Sequence, residues 1–104
     1  VNKSIMSDIL RIQKVLTMGE SYAKANDNEY DTDTVSDASI ELERLAKAAI
    51  QPELTPEIMT AILTVSRGIG VTLSYASGDG NDDDVKECDK AYKNLEEIAH
   101  EFCK

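Results

Sequence analysis

The sequence predicts an all-α protein, an antiparallel four-helix bundle in one domain spanning 1–104, and three observations carry that expectation. Apolar residues recur at alternating spacings of three and four in four separate segments, about 3–25, 34–50, 55–77 and 83–103. Short connectors rich in Asn, Asp, Gly and Pro divide them. No strand-like alternation competes with the helical period, and no internal repeat is evident. A chain of 104 residues is long enough for one real core and too short for two. Its 30% charged residues are offset by Ile, Leu, Val and Ala at strong periodicity, which argues against disorder.

The first helix places Ile5, Ile9, Ile12, Leu16, Gly19 and Ala23 on one stripe at 100° per residue. Asn26 to Asp33 then reads as a connector, and Thr34 is placed to cap a second helix whose stripe is Val35, Ala38, Leu42, Ala46 and Ala49, with Leu45 alongside. That helix ends before Pro52. The third start is the best marked: Thr55 as N-cap, Pro56 at the first helical position, Glu57 at the positive end of the dipole, and Leu54 with Met59 spaced for a hydrophobic staple. It should stop at Ser77-Gly78-Asp79-Gly80, where glycine permits positive φ. The fourth begins among Asn81 to Asp84, with Asp84 and Glu87 at capping-box spacing, and carries Cys88, Tyr92, Leu95, Ala99 and Phe102 inward, flanked by Ala91 and Ile98.

The third helix has two apolar faces. Ile58, Met59, Ile62, Val65, Ile69, Leu73 and Ala76 form the principal one, and Ala61, Thr64, Gly68, Val71 and Tyr75 form the second. In a four-helix monomer where each helix touches two others, the second face is left without a neighbour. Small Ala61 and Gly68 suit close backbone approach, so a homodimer through this face is expected. The same helix is not expected to span a membrane, because Arg67 in its centre costs about 2.5–3.5 kcal/mol on insertion scales.

The formal charge of −9 is unevenly placed. Asp27 to Asp37 carries acids and no base, Asp79 to Asp84 carries more, and the remainder is balanced. In an alternating bundle the first and third connectors emerge at one end, so Asp31, Asp33, Asp79, Asp82, Asp83 and Asp84 are expected to form an acidic surface for a basic protein partner. Such a charge disfavours nucleic acid and anionic membranes, and the scarcity of aromatics removes base-stacking platforms. Divalent cations would need oxygen ligands in a suitable loop, yet neither acidic segment places Gly and Glu where an EF-hand requires them.

No chemistry is specified. Glu97-Ile98-Ala99-His100 has the Glu-x-x-His spacing of di-iron bundles, but Glu97 points away from the apolar stripe. Cys103 and His100 are neighbours on a helix without an orienting group or oxyanion site. Cys88 and Cys103 both fall toward the core face and lie about 22 Å apart along the helix, too far to pair within it. Two reduced, buried thiols are expected, in a cytoplasmic setting, with extracellular residence after signal cleavage as the alternative. No basic segment followed by an apolar run opens the chain at Val1, and Asn2-Lys3-Ser4 matches a glycosylation sequon by three residues only. The expectation is therefore a small acidic interaction module without catalysis, cofactor or metal, binding a protein and self-associating, as an inhibitor, an immunity or antitoxin-like factor, or an adaptor. A DNA-mimicking inhibitor and a cation-binding bundle are the alternatives.

Overall fold

The computed structural model describes residues 3–104, which form four α-helices: α1 (Lys3–Ala25), α2 (Glu29–Ala48), α3 (Pro56–Gly78) and α4 (Asp82–Phe102). The Asn2 sequon position lies outside the described residues. The expected stripes meet in one core. Ile5, Ile12 and Leu16 of α1, Leu42 and Leu45 of α2, Val65 and Ile69 of α3, and Leu95, Ile98 and Phe102 of α4 are buried together.

The helix starts follow capping chemistry: the expected starts of α3 and α4 hold, and that of α2 does not. Thr55 caps α3 as expected, its hydroxyl accepting from the Ile58 amide at 3.1 Å. α2 begins at Glu29, five residues before the expected start, because Asn28 is the cap and accepts from the Asp31 amide at 2.9 Å. Thr34 sits inside the helix, where its hydroxyl donates back to the Tyr30 carbonyl. Asn81 rather than Asp84 caps α4, accepting from the Asp84 amide at 3.1 Å. Leu54 and Met59 are both largely exposed and shield little of α3 from solvent.

The helices do not form a square. α1 and α3 pack against each other and against both remaining helices, whereas α2 and α4 do not touch. The result is a flattened body, 38 × 24 × 15 Å along its principal axes, with α1 and α3 in the middle. Two glycines permit this. A Cβ on Gly19 would run into the Thr72 hydroxyl, and one on Gly68 would run into Ala38 and come within 2.8 Å of Leu16. Thr72 is fully buried and satisfies its hydroxyl on the Gly68 carbonyl at 3.0 Å.

This arrangement corrects the reasoning about α3. Having three neighbours, it needs no second chain to cover a second face. Ala61 and Gly68 are buried inside the monomer, Gly68 directly against α2, and Thr64, Val71 and Tyr75 are half-buried. By length and composition α3 is long and apolar enough to cross a membrane. Here Val65, Ile69 and Ala76 go to the core, while its outer side carries Arg67, Ser74 and Ser77.

A repeat that the periodicity concealed emerges from the contacts. Ile5-Met6-Ser7-Asp8-Ile9-Leu10 returns as Ile58-Met59-Thr60-Ala61-Ile62-Leu63, and Ser21-Tyr22-Ala23 as Ser74-Tyr75-Ala76, each 53 positions on. Asn28, Asp31, Ala38 and Leu42 return at the same interval as Asn81, Asp84, Ala91 and Leu95. The pair α1–α2 thus corresponds in sequence to α3–α4, and equivalent positions meet where Gly19 packs on Thr72 and Tyr22 stacks on Tyr75. Each half presents a helix stripe that it cannot cover alone, and the two halves cover each other.

Candidate functional site

Both acidic connectors are built on the same backbone turn. Helix α1 ends with Asp27 in the left-handed region at φ 51°, and α3 ends with Gly80 there at φ 67°. The amide that follows reaches back into the helix, Asn28 to the Ala23 carbonyl at 3.0 Å and Asn81 to the Ala76 carbonyl at 2.9 Å, which satisfies orphan carbonyls at each helix end. Glycine adopts this conformation freely, and Asp is among the few other residues that tolerate it. Asn28 and Asn81 then cap the next helices, so each connector needs only three residues.

Two tyrosines tie the connectors together. The rings of Tyr22 and Tyr75 stack with centroids 5.9 Å apart and planes 5° from parallel. Each phenol crosses to the opposite half: Tyr22 donates to Asp84 at 2.5 Å and Tyr75 donates to Asp31 at 2.6 Å. Asn81 also donates to Asp84 at 2.9 Å. Donation to a carboxylate raises both phenols above the ordinary tyrosine value, with partial desolvation and the carboxylate charge adding to the shift. The carboxylates gain in turn from the dipoles of the helices whose first turns they occupy.

Of the six acids expected at this end, the structure separates two groups. Asp31 and Asp84 are half-buried, and one oxygen of each carboxylate is engaged by a phenol. Asp79, Asp82 and Asp83 are exposed in or beside the α3–α4 turn. Asp33 is exposed on α2, where with Asp37, Thr64 and Arg67 it lines a groove between α2 and α3. A shallow hollow of about 420 Å³ beside the turn is walled by Met18, Tyr22, Asp79 and Asp84. Among the described residues no group of three or more His, Cys, Asp or Glu is placed to hold a metal ion.

A second polar cluster lies toward the far end of α1. Asp8 and Asn94 are buried, at 7% and 6% exposure, and Asn94 donates to Asp8 at 2.9 Å while Arg11 donates to Asn94 at 3.3 Å. Burial, then a hydrogen bond and repulsion from Glu97, push Asp8 from the usual 3.8 to about 6, against a smaller pull from Arg11. The repeat counterpart of Asp8 is Ala61, so this polarity belongs to the α1–α4 seam alone.

The thiols divide. Cys88 is buried in the core, and desolvation with the charges of Asp84, Asp89 and Glu87 raises it to about 11, which keeps it protonated and unreactive at neutral pH. Cys103, expected on the core face, is exposed, because α4 ends at Phe102 and Cys103 occupies its C-cap. Glu97 and His100 are both exposed. Sequence reading thus missed Tyr22, Asn28, Asp8 and Asn94; the recurrence of Tyr, Asn and Asp in register in both halves was the signal for the first two.

Searches against protein-family models, curated proteins and solved structures find no match for this chain.

Proposed function

We propose that this chain is a non-catalytic protein-binding module, an antiparallel four-helix bundle whose acidic end docks a basic protein. The observation that carries it is the pair of crossed phenol–carboxylate bonds, Tyr22 to Asp84 and Tyr75 to Asp31, which hold two acidic connectors side by side on a stacked ring pair. A presentation fixed in this way loses little entropy when a partner binds. The antiparallel arrangement is supported by contacts at both ends of α1: Tyr22 meets the first turn of α4, while Asp8 meets Asn94 well along it. Exposed Asp79, Asp82 and Asp83 are the residues that face a partner, and Asp31 and Asp84 position them.

A partner recognised in this way associates fast at low salt and loses affinity as salt screens the pole. The test uses an oligolysine peptide as probe and amide chemical shifts as readout. Shifts confined to the two connectors, lost at high salt and lost in the Asp79→Asn, Asp82→Asn, Asp83→Asn triple variant with the helical spectrum unchanged, support the reading. Shifts spread over the whole surface, or undiminished in the triple variant, overturn it. The homodimer expected through Ala61 and Gly68 is not carried forward, because both residues are covered within the chain.

A further inference from the structure

The chain is two similar halves held together by packing, and the segment that joins them takes little part in it. Across the division α1 packs on both α3 and α4, and α2 packs on α3. The closest approaches also lie there, with Gly19 against Thr72 and Gly68 against Ala38 and Leu16, and so do the crossed bonds from Tyr22 to Asp84 and from Tyr75 to Asp31. The surface that covers each half is thus shown by the fold itself: it is the other half.

The link between the halves is unlike the two connectors inside them. Those have three residues each and are bonded into the helix ends on both sides, whereas the link runs over the seven residues 49–55. Its start continues α2, the Ile50 amide donating to the Lys47 carbonyl and the Gln51 amide to the Ala48 carbonyl. Beyond that, among the described residues, no hydrogen bond ties Pro52, Glu53 or Leu54 to the bundle, and all of Ile50 to Leu54 is exposed. Pro52 disfavours a helical Gln51, so the link does not extend α2. Two of its residues are large and apolar yet uncovered in one chain, Ile50 at 73% and Leu54 at 44% exposure. Seven residues reach about 23 Å when extended, enough to carry α3–α4 away from its own α1–α2 and onto that of another copy. Two copies that exchange halves remake every contact across the division twice, and only the link changes its path. The two links then run side by side between the lobes, where Ile50 and Leu54 of one copy cover those of the other.

We propose that the chain dimerises with a second copy of itself by exchanging its α3–α4 half, with the link 49–55 as the hinge and Ile50 and Leu54 paired between the two links. Each lobe of the dimer takes Tyr22 and Asp31 from one copy and Tyr75 and Asp84 from the other, so the dimer carries two acidic ends. Parting the halves opens the whole core, so exchange takes place as the chain folds, and the folded monomer and dimer interconvert slowly. The exchange stands whether or not the acidic end docks a basic protein, and the triple variant at Asp79, Asp82 and Asp83 leaves the link intact.

The test refolds the full chain from denaturant over a concentration series and separates the products on a sizing column. The dimer fraction is expected to rise with the concentration at refolding and to persist when the folded sample is diluted. A cysteine pair then reports which chains are joined. A Cβ added at Gly19 would lie 3.2 Å from that of Thr72, within reach of a disulfide, so Gly19→Cys with Thr72→Cys is placed in a Cys103→Ser background, Cys88 being buried. After oxidation, the monomer fraction is expected to run as a single chain on a denaturing, non-reducing gel and the dimer fraction as two covalently joined chains. A dimer fraction that runs as single chains overturns the proposal, because each chain has then closed on itself and the contact is between surfaces. Absence of a dimer at every refolding concentration overturns it equally. Ile50→Ser with Leu54→Ser is expected to lower the dimer fraction several-fold, and an unchanged fraction would overturn the pairing of the links. Circular dichroism checks folding; Ala38→Cys with Gly68→Cys gives the same readout at the α2–α3 seam should the first pair unfold the chain.

Discussion

Tyr22 and Tyr75 show how one side chain can serve two purposes, since each buries an aromatic face against the other and places a donor where a carboxylate needs one. Asp8 works in the opposite direction. Its carboxyl is raised to about 6 from 3.8, so the neutral form is favoured in the fold, and the stability it supplies is complete below the unfolded value and lost as pH rises through about 6. Asp8→Asn keeps an acceptor for Asn94 and removes the charge beside Glu97. The variant is expected to exceed the wild type in urea midpoint at about pH 7 and to lose that advantage at about pH 4. An equal difference at both values would show that Asp8 does not titrate in this range.

At the scale of the helix, start positions and close approaches are the features that single substitutions can test. Asn28 caps α2 and Thr34 lies within it, so Asn28→Ala should cost about 1 kcal/mol in a denaturation series whereas Thr34→Ala should be near neutral. The reverse order would restore the later start read from sequence. Gly68 lets α3 reach Ala38 of α2 and Leu16 of α1. Gly68→Ala should therefore cost about 1–3 kcal/mol through overpacking, although alanine is the better helix former. Gly78, whose added Cβ would meet nothing within 4 Å, is the control, and Gly78→Ala should stabilise by about 0.5 kcal/mol. A stabilising Gly68→Ala would mean that α2 and α3 stand further apart than described.

For the whole molecule, the flattened arrangement makes the four helices unequal. α3 has the most extensive packing and α4 the least, because the α1–α4 seam holds Asp8 and Val15 where the α2–α3 seam has Ala61 and Gly68. Larger side chains in α1 keep α4 further off than small ones in α3 keep α2. Native-state amide exchange should accordingly be slowest in the middle of α3 and fastest, among helix centres, in α4. Exchange in α2 faster than in α4 would contradict this ordering.

What could be read from the chain follows from local rules. Helix number, the inward stripes and the Thr55-Pro56 start depend on 3.6-residue periodicity and on capping chemistry within a few residues, and these were legible. The start of α2 and the residue that caps α4 were not, because Asn, Asp and Thr suit caps, turns and first helical turns alike, and only the bond that Asn28 or Asn81 makes distinguishes them. Gly68 was legible as a site of close approach but not as to its neighbour: a glycine shows that something comes near, and packing decides that it is α2. The acids were legible as two segments, whereas their joining by Tyr22 and Tyr75 depends on contacts 62 and 44 residues apart in sequence. The sequence by itself determined four amphipathic helices and where the charge lies. Tertiary structure decided that two of the helices occupy the middle, since which stripe meets which depends on the summed shapes of side chains on all four helices, and no local window contains that sum.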